Sequence, residues 1–246
     1  MLLETRQWKT VLNFGLIVVD MQNGFLSKGG SYDKLGMNIE NYRQIIPTVQ
    51  ELIKFCRREG IQIFYTQAVR EPSGIDLLVN DHSVLPRTRE ERLEKFPICV
   101  RGTWDAQIID EISPAYEDHI ILKRRDSAFQ DTELRVWLRS AGINTLIFCG
   151  VDTSICVETS LRDGFNQGYD VILVADATAS GMIKHYDTTL ERVRDYYGIV
   201  TNLRDFEEII KILGQMSSGK IEYTKSDERI TEFLEKHKLI DISKAI

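Results

Sequence analysis

No stretch of this chain strings together the roughly 20 apolar residues that a membrane-spanning helix requires, so no membrane partner is expected. Positive charge is scarce as well: 31 Lys and Arg stand against 37 Asp and Glu, a formal net charge of −6. With no basic stripe along the chain, nucleic acid is excluded as a general partner. The opening residues, Met1 to Asn13, interleave Glu4, Arg6, Gln7 and Lys9 and lack the apolar core of a secretion leader. Cysteines are few, and Cys56, Cys99, Cys149 and Cys156 show neither CxxC nor zinc-ligand spacing. That pattern is unsuited to a disulfide framework and predicts a reduced, cytoplasmic setting. The four histidines (His82, His119, His185, His237) are too scattered to make a metal-ligand set. No metal and no other cofactor are expected. Three of only five prolines, Pro72, Pro86 and Pro97, fall within one connection, Gln67 to Thr103, which leaves most of the chain free of helix breakers.

What the chain does contain is a regular alternation. Phe14 to Val19 is a continuous apolar run, the pattern of a strand covered on both faces. A helical pattern follows from about Asn41 to Glu59, with Pro47 inside it as a natural place for the regular helix to start. Gly60 ends that helix, and Ile61-Gln62-Ile63-Phe64-Tyr65 begins the next strand. Gly142, Gly168 and Gly198 repeat the device, each between a helical pattern and an apolar run. Further strands are predicted at His119 to Leu122, Thr145 to Cys149, Val171 to Val174 and Ile199-Val200. Such βα alternation predicts an α/β fold: a three-layer αβα sandwich around a mainly parallel, six-stranded sheet. The 246 residues divide as 1–213 for that domain and 214–246 for a linker and a C-terminal helical extension. In the extension, Ile230, Phe233 and Leu234 make an apolar stripe too short to fold alone. It is expected to help join subunits, as a homodimer or homotetramer, or to pack on its own chain.

Chemistry concentrates at strand ends. Open parallel sheets bind ligands just beyond the C-terminal edge of their strands. Asp20 follows the first strand, Lys123 ends Ile120-Ile121-Leu122, and Cys156 follows Leu146-Ile147-Phe148-Cys149. An acid, a cation and a thiol are thereby brought to one edge, the raw material of an activated nucleophile. After Asp152, Thr153 and Ser154, all good N-cap residues, Val157, Leu161 and Phe165 recur every four residues as one helix face. Cys156 therefore lies in a first helical turn, where the helix dipole favours a thiolate. A cysteine packing a strand-to-helix turn, an aspartate capping it and a solvated lysine would leave the same residues without chemistry.

Three segments together resemble the isochorismatase-like cysteine hydrolases. They are Leu16-Ile17-Val18-Val19-Asp20-Met21-Gln22-Asn23, Leu122-Lys123-Arg124-Arg125-Asp126-Ser127-Ala128-Phe129 and Gly150-Val151-Asp152-Thr153-Ser154-Ile155-Cys156-Val157. They occur in the family's order, and the similarity covers about residues 12 to 213. The resemblance implies catalytic Asp20, Lys123 and Cys156 and a cis peptide between Val151 and Asp152. It also implies an oxyanion hole from the backbone N–H groups of Asp152 and Cys156, and a thioester intermediate.

Within the family, Gly29 to Gly36, Arg101 to Asp105 and Glu158 to Asp163 are similar to the ureidoacrylate-type and biuret-type amidohydrolases. Arg124, Asp126 and Asp152 depart from that pattern. The expected substrate is a small ureide, carbamoyl compound or amide, with water as the second reactant. Gln22, Asn23, Gln67, Arg125 and Ser127 would bind its polar edge, and Phe25, Trp104 and Phe129 its flat faces. Members with an Asp-x-His motif after the second strand hold a metal. Here that place reads Tyr65-Thr66-Gln67-Ala68-Val69-Arg70, so a metal-dependent nicotinamidase is not expected. Two other readings remain open on sequence: a vinyl-ether hydrolase of the isochorismatase type, and a catalytically idle oligomeric binding protein of the same fold.

Overall fold

The computed structural model of the protein describes residues 13–76 and 98–217, the segment 212–217 as backbone only. Six strands form one sheet: β1 (Phe14–Val19), β2 (Gln62–Ala68), β3 (His119–Lys123), β4 (Thr145–Val151), β5 (Asp170–Ala179) and β6 (Ile199–Thr201). The order is β3-β2-β1-β4-β5-β6, and every pairing is parallel. Between sequential strands run short helices α1 (Asn23–Leu26), α2 (Ser31–Lys34) and α3 (Glu40–Arg43), then α4 (Ile46–Arg58). Farther along come α5 (Leu134–Ser140), α6 (Glu158–Asn166), α7 (Ile183–Arg192) and α8 (Leu203–Ser217).

The two-residue repeat of a strand sends neighbours to opposite faces, and β1 shows what this builds. Leu16 and Val18 join one core with Val49, Leu52 and Phe55 of α4 and Phe206 of α8. Ile17 and Val19 join the other, with Leu134 and Leu138 of α5, Leu161 of α6 and Val193 just past α7. Helices on both faces complete the three layers. Every residue of β4 is buried, whereas the edge strand β3 alternates, with Ile120 and Leu122 exposed and Ile121 and Lys123 buried. Each fully buried Leu, Ile or Val contributes on the order of 1.5–3 kcal/mol, so the central strands anchor whatever is mounted on their ends.

Several boundaries differ from those expected. The helical pattern at 41–59 divides into α3 and α4, and Pro47 stands in the first turn of α4, where its missing N–H costs nothing. At the other end, α8 runs through Gly214 to Ser217, past the point where the sequence suggests a linker. A glycine inside a helix costs only about 1 kcal/mol, too little to stop a helix whose earlier turns bury Phe206 and Ile209. The stripe at Ile230, Phe233 and Leu234 lies outside the described residues, as does 77–97 of the long connection. Among the described residues no helix is long and apolar enough to cross a membrane.

Candidate active site

The strand order reverses direction between β1 and β4, and such a switch point opens a crevice at the C-terminal edge of a parallel sheet. Asp20 leaves β1 there with φ 49°. Its Oδ1 accepts a 2.6 Å hydrogen bond from Thr66 Oγ1 on the adjacent β2, and its N–H donates to the same oxygen at 3.1 Å. Its Oδ2 lies 2.8 Å from Lys123 Nζ, with both side chains buried. That contact is not aligned as a hydrogen bond, and Oδ2 accepts no other.

Lys123 reaches across from the edge strand. Its Nζ donates to the carbonyls of Arg125 (3.0 Å) and Asp126 (3.1 Å) and to Cys156 Sγ (3.4 Å). The three predicted reactive groups thus meet at one ammonium. Burial alone would lower the Lys123 pKa, but the charges of Asp20 and Cys156 outweigh it, so the net shift is upward. Lys123 stays an ammonium.

The thiol behaves otherwise than a first helical turn suggests. Burial pushes the Cys156 pKa up, the Lys123 charge pulls it down, and Asp20 and Asp126 push it up again. The net shift is upward, so the resting group is a thiol. The dipole argument fails here because desolvation of an anion outweighs a partial charge at a helix end. A thiol beside a buried carboxylate needs that carboxylate as a base.

The turn carrying Cys156 is held from several directions. Val151–Asp152 is a cis peptide, followed by a π-helical turn, Thr153–Val157. The Asp152 carbonyl accepts from Ile155 N–H and Val157 N–H, both at 3.1 Å, passing over the N–H of Cys156. The Asp152 carboxylate is an acceptor hub. Oδ1 takes Ser154 N–H (2.9 Å), Ser154 Oγ (2.8 Å) and Ser180 Oγ (2.8 Å). Oδ2 takes Tyr42 Oη (3.0 Å) and Gly181 N–H (2.8 Å). Just behind the nucleophile, buried Glu158 accepts from Thr189 Oγ1 (2.6 Å) and from Arg192 Nε (3.0 Å) and Nη2 (2.9 Å), tying α6 to α7. At Gly150, φ is +103° and an added Cβ would stand 2.1 Å from the Val19 carbonyl oxygen. No side chain fits where β4 crosses the end of β1.

A cavity of about 920 Å³ opens over Cys156. Of the residues expected to bind substrate, Phe25, Arg125 and Ser127 line it; Gln22, Asn23, Gln67, Trp104 and Phe129 do not. Gln22 is fully buried, its amide bonded to the Ala68 carbonyl (2.9 Å), the Ala106 carbonyl (2.8 Å) and Ala68 N–H (2.8 Å). Asn23 bridges the Trp104 carbonyl and Ser27 Oγ, and Gln67 donates to the Ala106 carbonyl. These amides fasten the segment at 104–106 to the sheet. Trp104 is 49% exposed on that segment, and Phe129 packs against Tyr169 in the second core. Tyr32, Tyr42, Arg70 and Thr159 line the cavity without having been expected there. For Arg70 a signal existed, its position two residues past a strand end; for the two tyrosines none did. Among the described residues no group of three or more His, Cys, Asp and Glu could hold a metal ion.

Fold and site together define the class: a parallel-sheet α/β protein with a cysteine–lysine–aspartate centre at its switch point. An isochorismatase domain model matches residues 14–205, and the chain belongs to that family of hydrolases. It is similar to the ureidoacrylate amidohydrolase RutB of Yersinia enterocolitica, 33% identical over 83% of this chain and 92% of the relative. The RutB of Methylobacterium radiotolerans is 30% identical over 83% and 82%. Among solved structures, a cysteine hydrolase from Pseudomonas syringae pv. phaseolicola superposes with TM-score 0.71 at 26% identity, covering 83% of this chain and 95% of that one. N-carbamoylsarcosine amidase from Thermoplasma acidophilum gives 0.61 at 25%, covering 78% and 97%. The two RutB proteins and the amidase are by name hydrolases of C–N bonds.

Proposed function

We propose that the protein is a cysteine amidohydrolase that cleaves a C–N bond of a small ureide, carbamoyl compound or amide without a metal. The observation that carries this reading is the meeting of Asp20, Lys123 and Cys156 around one ammonium in a deep cavity. Asp20 Oδ2 has a lone pair free of aligned hydrogen bonds, and a carboxylate so placed can accept the Sγ–H proton. As that proton moves, sulfur attacks the substrate carbonyl carbon and its π electrons shift to oxygen. The oxyanion is received by the backbone N–H groups of Asp152 and Cys156. Lys123 offsets the negative charge carried first by Asp20 and then by sulfur.

Collapse of the tetrahedral adduct breaks the C–N bond, and Asp20 returns its proton to the departing nitrogen. A carbamoyl- or acyl-thioester remains on Cys156. Water, deprotonated by Asp20, hydrolyses it, and the thiolate recovers its proton. The amidohydrolase and amidase names of the relatives support C–N hydrolysis over vinyl-ether cleavage, as does a cysteine at the centre.

Ammonia release across a panel of ureides, carbamoyl amino acids and plain amides, with and without EDTA, tests the reading. Cys156→Ser is expected to abolish release while leaving the melting temperature near that of the wild type. Cys149→Ser, in the fully buried β4, is expected to lower stability more than rate. Equal loss of activity in both variants with no loss of stability, or activity lost to EDTA, would refute it.

A further inference from the structure

The turn that carries the nucleophile is bound to the end of β5 by side chains to which the proposed chemistry gives no task. Val151 pairs with Ala179, the last residue of β5, so the residues just past the two strand ends lie side by side. From β5 and just beyond it come Thr178, Ser180 and Gly181; just beyond β4 come Asp152, Thr153 and Ser154. Each of the six bonds across the gap. Thr153 Oγ1 lies 2.8 Å from Thr178 Oγ1, and Ser154 Oγ lies 3.1 Å from Ser180 Oγ. Asp152 Oδ1 accepts from Ser180 Oγ and Oδ2 from Gly181 N–H, both at 2.8 Å. The Thr178 hydroxyl donates to the Gly150 carbonyl at 2.8 Å, so Thr153 is the donor in its pair. Tyr42 of α3, a helix that packs on β5, adds its hydroxyl to Asp152 Oδ2 at 3.0 Å.

Asp152 is where these contacts converge. A carboxylate offers about four lone-pair sites, and this one meets five donors, three at Oδ1 and two at Oδ2. It lines the cavity, yet with its sites filled it has none to offer a substrate N–H or a proton of the reaction. Two of the donors, Ser154 N–H and Gly181 N–H, are backbone groups that cannot turn away. At Gly181 an added Cβ would stand 2.5 Å from Tyr42 Oη and 3.8 Å from Asp152 Oδ2, so the missing side chain lets hydroxyl and N–H reach the carboxylate together. One methylene joins that carboxylate to its own Cα. With both oxygens held, the direction of the Asp152 backbone is held as well.

We propose that the Asp152 carboxylate is the positioning group of the oxyanion hole: anchored to the end of β5 and to α3, it aims the Asp152 N–H at the developing oxyanion and takes no part in the proton transfers. This role rests on the amidohydrolase reading, which gives that N–H to the oxyanion, and adds what aims it. Aim matters because a donor stabilises the oxyanion only from hydrogen-bond reach of the place it will occupy, and such bonds weaken steeply off line. The thiol does not depend on this network. Cys156 Sγ accepts from Lys123 Nζ, which is placed by Asp20 and by the carbonyls of Arg125 and Asp126. Loss of the anchor is therefore expected to impair attack on a carbonyl and to spare the reactivity of the sulfur itself.

Two reagents for Cys156 separate these effects in the full-length protein. With p-nitrophenyl acetate, sulfur attacks the acetyl carbon, an oxyanion forms, and p-nitrophenolate leaves as the thioester is made. With methyl methanethiosulfonate, sulfur displaces methanesulfinate from sulfur, and no oxyanion arises. Cys156→Ser supplies the background for each. In Asp152→Ala acylation is expected to slow by about 10²-fold, the loss on removing one oxyanion-hole donor. Asp152→Asn keeps an oxygen for Ser154 and Ser180 but sets an amide N–H against that of Gly181, and is expected to lose less. The double variant Tyr42→Phe/Ser180→Ala leaves Asp152 in place and removes two of its donors; about tenfold slower acylation is expected. Methylthiolation is expected to stay within about threefold of the wild type in all of them, since the thiol and its base are untouched. Thermal melting verifies folding, and if the Asp152 variants do not fold, the double variant decides. Acylation within about threefold of the wild type in the folded variants, or both reactions falling together at an unchanged melting temperature, overturns the proposal. So does a wild type without Cys156-dependent acylation. A wild type that is acylated but releases ammonia from no amide or ureide removes the amidohydrolase reading alone.

Discussion

Asp20 holds two relationships at once: an ion pair with Lys123 at 2.8 Å and adjacency to a protonated thiol. Its Oδ1 is fixed by Thr66, so only Oδ2 can serve the proton. Asparagine at this position keeps the shape and the Thr66 contact but cannot take a proton from sulfur. Asp20→Asn is therefore expected to lower kcat by about 10²–10⁴-fold, the usual reach of a positioned acid–base group. Steady-state assays on the substrate found in the panel would show it, and a loss below about tenfold would mean that another residue moves the proton.

Among the structural elements, the β1–β4 contact governs the site. Val19 pairs with Gly150, and the close approach of the two strand ends sets how far Asp20 stands from the turn bearing Cys156. A Cβ at Gly150 would collide with the Val19 backbone, where nothing can rotate away, and φ +103° is itself a glycine conformation. Gly150→Ala is expected to cost more than about 3 kcal/mol, from strain and overpacking together. Urea denaturation would measure it. A variant within 1 kcal/mol of the wild type would mean that the strands separate easily and that their contact does not position the site.

For the molecule as a whole, the four cysteines act in concert on stability. Burial raises the pKa of Cys56, Cys99, Cys149 and Cys156, and nearby carboxylates add to the rise at Cys56, Cys99 and Cys156. A thiol with a raised folded-state pKa contributes stability that is complete below its unfolded value and is lost as pH climbs through the folded one. The ordinary thiol value is near 9, so the urea midpoint is expected to hold up to about pH 8 and to decline steadily between about pH 9 and 11. A midpoint that rises or stays level across that window would show that the thiols are solvated in the folded protein.

Much of this architecture was legible in the chain itself, because burial and periodicity leave local marks. The apolar runs at Phe14 to Val19 and Thr145 to Cys149, and glycines such as Gly60 and Gly168 after helical patterns, were enough to place strands and to infer a parallel sheet. Asp20, Lys123 and Cys156 could be nominated because each follows a strand, and strand ends share an edge. What local pattern could not convey was the occupancy of polar groups. Gln22, Asn23 and Gln67 look like binding residues in one dimension, yet their amides satisfy backbone carbonyls and N–H groups that a folded interior cannot leave unpaired. The state of the thiol was likewise hidden, since a helix start is visible in sequence while the desolvation that overrides it depends on every atom packed around Cys156. The convergence of Tyr42 and Gly181 on Asp152 is the same kind of fact: 110 and 29 positions from it in the chain, they are brought to it only by the packing of α3 on β5 and the register of β5 on β4.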